Sequence, residues 1–85
     1  AENEQLCIDF EAANPDFVAR LKRRYETLSS SDIRYLSFVR MNLSNKEIAE
    51  LMNITPESCK RRRQRLAKKM GMETSAQLFD YILHF

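Results

Sequence analysis

One glycine, Gly71, and two prolines, Pro15 and Pro56, are all that 85 residues offer for tight reversals of the backbone. Strands joined by short hairpins need more turn-formers than this. The remainder is rich in Leu, Glu, Lys, Arg and Met, which give up little side-chain freedom in a helix. The chain is therefore expected to be all-α and a single domain. A core this small has little stability to spare, so its helices must share one set of apolar contacts.

Residues 1–13 combine acids with Leu6, Ile8 and Phe10 and read as a lead-in that packs its apolar residues onto a domain spanning 14–85. Asn14 is placed to cap a helix that has Pro15 at its first position, where the missing N–H costs nothing. Phe17, Leu21, Tyr25 and Leu28 recur at helical spacing and predict one buried face. Ser29, with Asp32 three residues on, starts a second helix. Along it Ile33, Leu36, Val39 and Arg40 lie on one side and Tyr35 and Phe38 on another, with a polar stop at Asn42.

Ser44 and Glu47 form a capping box that opens a short helix over about 45–52, with Ile48, Ala49, Leu51 and Met52 as its apolar positions. Asn53 is suited to the left-handed conformation that ends a helix, and Ile54 is the buried residue of the turn. Thr55 caps the next helix, with Pro56 first and Glu57 complementing the dipole. That helix runs over about 56–70 and stops at Gly71. A last helix, about Ser75 to Leu83, carries Leu78, Ile82 and either Phe79 or Leu83 on its apolar side.

The net charge of +2 conceals a strong polarity. Up to Asp16 the charged residues are all acidic: Glu2, Glu4, Asp9, Glu11 and Asp16. Between Lys60 and Lys69, seven of ten residues are basic and none is acidic, which is the kind of local field a polyanion feels. Cys7 and Cys59 are far apart and the one histidine, His84, has no second ligand at metal-binding spacing, so no metal and no cofactor is expected. No nucleophile–base set, pair of catalytic carboxylates or phosphate loop can be assembled, so an enzyme is not expected. No apolar run reaches the length of a membrane span, and the fragment is expected to make no membrane contact.

A helix of about eight residues and one of about fifteen, joined by a three-residue turn, make a helix-turn-helix pattern. Ala49 lets the two helices approach, and Ile48, Leu51, Ile54, Cys59 and Leu66 fill the wedge between them. Cys59, Leu66 and Met70 mark the inner side of the long helix. Lys60, Arg61 and Gln64 fall on its outer side near the N-terminal half, where such a helix reaches base edges in a major groove. Gln64 is suited to adenine, and Arg61 or Lys60 to guanine. Arg62, Arg65, Lys68 and Lys69, with Lys46 on the preceding helix, are expected at phosphates. Thr55 and Ser58 are placed to bind one phosphate together with the N–H groups of the helix start.

The segments Leu28-Ser29, Ser44-Asn45-Lys46-Glu47-Ile48-Ala49, Ile54-Thr55, Ser58-Cys59-Lys60 and Lys69-Met70-Gly71 together resemble the LuxR-type (GerE-type) helix-turn-helix domain of bacterial transcription regulators. The resemblance covers about half the chain. The preceding Phe10, Asn14-Pro15, Phe17, Leu21, Tyr25 and Leu28 are similar to the segment before this domain in regulators with a separate sensor region. The resemblance implies a four- or five-helix bundle of the winged-helix-like superfamily, without a wing, forming the C-terminal output domain of a larger protein. It also implies sequence-specific binding of duplex DNA in the cytoplasm, with Lys60, Arg61 and Gln64 at the bases. A homodimer through the last helix (Leu78, Phe79 and Ile82) is implied as well, and RNA polymerase is a further candidate partner. Cys59 stands where the family has Val. Arg62 and Arg63 stand where it often has less charge, which predicts a half-buried Arg63 paired with an acid. Glu26 stands where the family often has Pro.

Two other readings compete. A sigma-factor-like promoter-recognition domain uses a similar capped helix pair, although the Ser-Asn-Lys-Glu-Ile-Ala segment and the Lys-Met-Gly end favour the LuxR type. A protein- or membrane-interaction module would use the basic helix as an amphipathic ligand and leave Leu66 and Met70 exposed.

Overall fold

The computed structural model describes the backbone of residues 2–85 and the side chains of residues 5, 6 and 8–85. The Cys7 thiol and the carboxylates of Glu2 and Glu4 lie outside the described side chains. Among the described residues the structure is all-helical: α1 (Glu2–Ala13), α2 (Pro15–Arg24), α3 (Ser30–Arg40), α4 (Asn45–Leu51), α5 (Pro56–Lys69) and α6 (Ser75–Leu83). Six helices replace the four or five expected, because the lead-in contributes a helix of its own, Glu2–Ala13.

Leu6 and Phe10, one turn apart on α1, pack on the core, whereas Ile8 is exposed. Asn14 stands at the junction of α1 and α2, but its side chain does not cap α2. Its Nδ2 instead donates to the Phe10 carbonyl at 3.0 Å, closing the end of α1. α2 is also shorter than the periodicity suggests. It buries Phe17, Val18 and Leu21 and ends before Tyr25, so Tyr25 and Leu28 reach the core from a turn rather than from a helical face.

α3 is the central element and touches α1, α2, α4 and α6. Five consecutive residues, Tyr35 to Val39, are buried, which is more than a full turn, so no solvent face remains over that stretch. The two apolar sides expected of this helix are thus both used. The polar member of the run, Ser37, is satisfied by donating to the Ile33 carbonyl at 2.8 Å.

Three helices start on reciprocal capping boxes: Ser29 with Asp32, Ser44 with Glu47, and Thr74 with Gln77. Three end alike. Asn42, Asn53 and Gly71 adopt φ of 63°, 56° and 78° after α3, α4 and α5. The residue after each donates back to a carbonyl in the last helical turn, Leu43 to Phe38, Ile54 to Ala49 and Met72 to Ala67. These are Schellman closures, and they satisfy carbonyls that a helix end otherwise leaves open.

α6 ends differently. Arg40 of α3 donates to the carbonyls of Ile82 and Leu83, and Arg20 of α2 donates to that of Phe85. The Arg20 guanidinium also sits 4.8 Å from the centre of the Phe85 ring. Phe85 in turn meets Phe17 edge-on at 5.9 Å, and Phe17 meets Phe10 edge-on at 5.6 Å. Aromatic edges and two arginines thus fasten the end of α6 to α1, α2 and α3. No helix among the described residues is long and apolar enough to cross a membrane.

Candidate nucleic-acid interface

α4 and α5 pack on each other across the turn Met52–Thr55, and α5 also rests on α6. The residues anticipated between these two helices all belong to the core or pack against it. Ile48, Ala49, Cys59 and Leu66 are buried, and Leu51 and Ile54 lie half-buried against them. At the N-terminal ends Asn45 Nδ2 donates to the Pro56 carbonyl at 3.4 Å, which ties the start of α4 to the start of α5. Lys46, the next residue, is exposed.

Cys59, Leu66, Ala67 and Met70 bury one side of α5. Ala67 belongs to this side although only the larger three stand out in the sequence. Lys60, Arg61, Gln64, Arg65 and Lys68 are all exposed. At 3.6 residues per turn these five fall into one continuous stripe opposite the buried side. All three expected base-reading residues and two of the expected phosphate ligands therefore share one open face.

Thr55 is exposed and already engaged. Its hydroxyl accepts from the Ser58 N–H and donates to Ser58 Oγ, both at 3.0 Å. This leaves the Ser58 hydroxyl with the proton to offer an anion. Thr55 serves as the cap of α5, and Ser58 is the better placed of the pair for a ligand.

The other two expected phosphate ligands, Arg62 and the exposed Lys69, are paired with an acid of the fold. Lys69 Nζ lies 3.0 Å from Asp32 Oδ2, and Arg62 Nη1 lies 3.7 Å from Asp32 Oδ1. Asp32 Oδ2 also accepts the Ser29 N–H at 3.0 Å as part of the α3 capping box. One carboxylate thus closes α3 and binds two cations of α5, and its side chain is only 13% exposed. Burial alone would weaken this acid. The hydrogen bonds from Ser29 and Lys69 outweigh burial and hold the carboxyl below its ordinary pKa.

Arg63 is half-buried as anticipated, but among the described residues its partner is a ring and not an acid. Its guanidinium lies 5.5 Å from the centre of the Phe79 ring, and its Nε is buried without a hydrogen-bond acceptor. Tyr35 Oη, also buried, likewise lacks a partner. Burial raises the pKa of the Tyr35 hydroxyl and of the Cys59 thiol, with Arg62 and Arg63 opposing in both cases. Cys59 is a packed apolar side chain and not a poised thiolate.

The expected dimer contact needs correction at two of its three residues. Leu78 and Ile82 are each 0% exposed and form part of the monomer's own core. They lie four apart on the inner face of α6, so they cannot also present an outer surface. Phe79 is half-buried under Arg63, and Leu83, one turn further on, is 37% exposed.

The Asp32 pairing is the main feature that sequence reasoning misses. Asp32 and Lys69 are 37 positions apart, and nothing local joins them. The Thr74 capping box was also not anticipated, although Thr74-Ser75-Ala76-Gln77 carries its local signal. Compared with protein-family models, with curated proteins and with solved structures, the chain finds no match.

Proposed function

We propose that this chain is a LuxR-type helix-turn-helix domain that binds duplex DNA as the output of a cytoplasmic transcription regulator. The observation that carries the reading is the exposed stripe Lys60, Arg61, Gln64, Arg65 and Lys68 on a helix whose opposite side is anchored by Cys59, Leu66, Ala67 and Met70. α4 is the scaffold and α5 the recognition helix in the major groove, which is wide enough for one helix. Lys60, Arg61 and Gln64 read base edges. Arg65, Lys68, Lys46 and the Ser58 hydroxyl hold the backbone. Dimerisation in this reading uses the outer ridge of α6 around Phe79 and Leu83. The burial of Leu66 and Met70 counts against a basic-helix ligand for proteins or membranes, which needs those side chains free.

Selection of sites from random duplex DNA, followed by titration at several salt concentrations, tests the proposal. A protomer neutralising about four phosphates gives a slope of log K against log salt near −4, and a dimer nearly twice that. Arg61→Ala and Gln64→Ala should each relax base preference, at a cost of about 1–3 kcal/mol on the selected site. No duplex binding, or binding indifferent to salt, overturns the reading.

A further inference from the structure

We infer that Asp32 is an internal anion that withholds Arg62 and Lys69 from a nucleic-acid backbone and so limits the sequence-independent affinity of α5. The inference rests on the DNA-binding reading and deepens it. Seven basic residues between Lys60 and Lys69 would make a strong general polyanion binder. Arg63 is turned onto Phe79, and Asp32 occupies two more. Four remain on the open stripe: Lys60, Arg61, Arg65 and Lys68. Phosphate contacts add affinity for every sequence alike, while base contacts separate one sequence from another. Taking cations out of the first class therefore raises the share of binding that depends on sequence.

Asp32 is fitted for this by position. Both of its oxygens are committed, Oδ2 to Ser29 N–H and Lys69 and Oδ1 to Arg62. Arg62 and Lys69 lie seven residues apart, two turns of α5, on the flank between its buried side and its open stripe. The crevice around the carboxylate is walled by Ser29, Ser31, Arg65 and Leu66. A phosphate approaching from the stripe meets Arg65 first. To take Lys69, whose side chain is still 35% exposed, or Arg62, it competes with a carboxylate that is only 13% exposed and is fixed by the α3 cap.

Asp32→Asn separates the two duties of this residue. The amide oxygen, in the place of Oδ2, still accepts the Ser29 N–H, so the cap is kept, while the new NH2 group faces Arg62 and cannot hold it, and Lys69 is left facing a neutral oxygen in place of a carboxylate. The intact chain and Asp32→Asn are titrated with an unrelated duplex across salt. If both cations are released to phosphate, the slope steepens by about 1.8 per protomer, and the ratio of affinities between about 50 and about 200 mM salt grows about tenfold. Adding Lys69→Gln to Asp32→Asn returns roughly half of that gain. A second comparison needs no change at Asp32: Lys68→Gln should lower the slope of the otherwise unaltered chain by about 0.9, and Lys69→Gln by less than half as much. Equal losses from Lys68→Gln and Lys69→Gln, or an unchanged slope in a folded Asp32→Asn, overturn the inference but leave the DNA-binding reading intact. Failure of the unaltered chain to bind any duplex overturns that reading, and the inference with it.

Discussion

Tyr35 carries a hydroxyl into the centre of the molecule and finds no acceptor for it there. A buried polar group without a partner forfeits its hydration, and the usual cost is about 1–3 kcal/mol. The ring itself is well packed, so Tyr35→Phe removes the penalty and keeps the volume. The variant should unfold at higher urea, with a gain of about 1 kcal/mol; a loss of stability would mean that the hydroxyl has a partner in solution. Asp32 makes the opposite case, because its charge is wanted. Its folded carboxyl is more acidic than the unfolded one, so it contributes stability that is complete above the unfolded pKa of about 4. That stability is lost as pH falls through the lower folded value. The stability gap between the unaltered chain and Asp32→Asn should therefore be constant near neutrality and close as pH falls below about 4 and through the lower folded value. Urea titrations at a series of pH values measure it, and a gap that persists undiminished in acid contradicts the assignment.

The helices are bounded by devices written into three or four neighbouring residues. Asn53 is the device on which the α4–α5 turn depends. At φ 56° its backbone is in the left-handed region, which an ordinary side chain enters at a cost of about 1–2 kcal/mol. Asn53→Gly should be close to neutral, and Asn53→Ala should cost about 1 kcal/mol in thermal or urea unfolding. Gly71 at φ 78° obeys the same rule, and because nothing lies within 4 Å of a Cβ added there, a cost for Gly71→Ala would be purely one of backbone strain. Features of this kind were legible in the sequence: the Ser29 and Ser44 boxes, the Thr55-Pro56 start, and the stops at Asn53 and Gly71 stand within a residue or two of where the residues put them. Lys60, Arg61 and Gln64 were legible for a related reason, since the period of an anchored helix fixes its outer face. α1 was not, because among its described apolar side chains only Leu6 and Phe10 turn inward while Ile8 stays out, and so short a stripe does not announce a helix. Also hidden were the pairings across the fold. Whether Arg62 meets solvent or Asp32 depends on how α3 crosses α5, which no window of sequence contains.

At the scale of the whole molecule, the radius of gyration of 11.9 Å is that of a folded chain of this length, about 12 Å. α1 and α6 are thus part of the compact body, and one cluster of buried side chains runs from Phe17 to Ile82. Calorimetry should record a single transition, with a heat-capacity increment of about 1.1 kcal/mol/K and equal calorimetric and van't Hoff enthalpies. A separate low-temperature transition for the N-terminal part would show that α1 and α2 do not share the core cooperatively. The fastening of Phe85 by Arg20 has a consequence in time. The two residues are 65 positions apart, so their meeting closes a long loop and waits until the local turns and the α4–α5 pair have formed. Contacts that form after the barrier do not govern how fast a chain folds; they govern how long it stays folded. Arg20→Ala should leave the refolding limb of a stopped-flow chevron nearly unmoved and lift the unfolding limb. The molecule would then reach its native state on schedule and let go of it early.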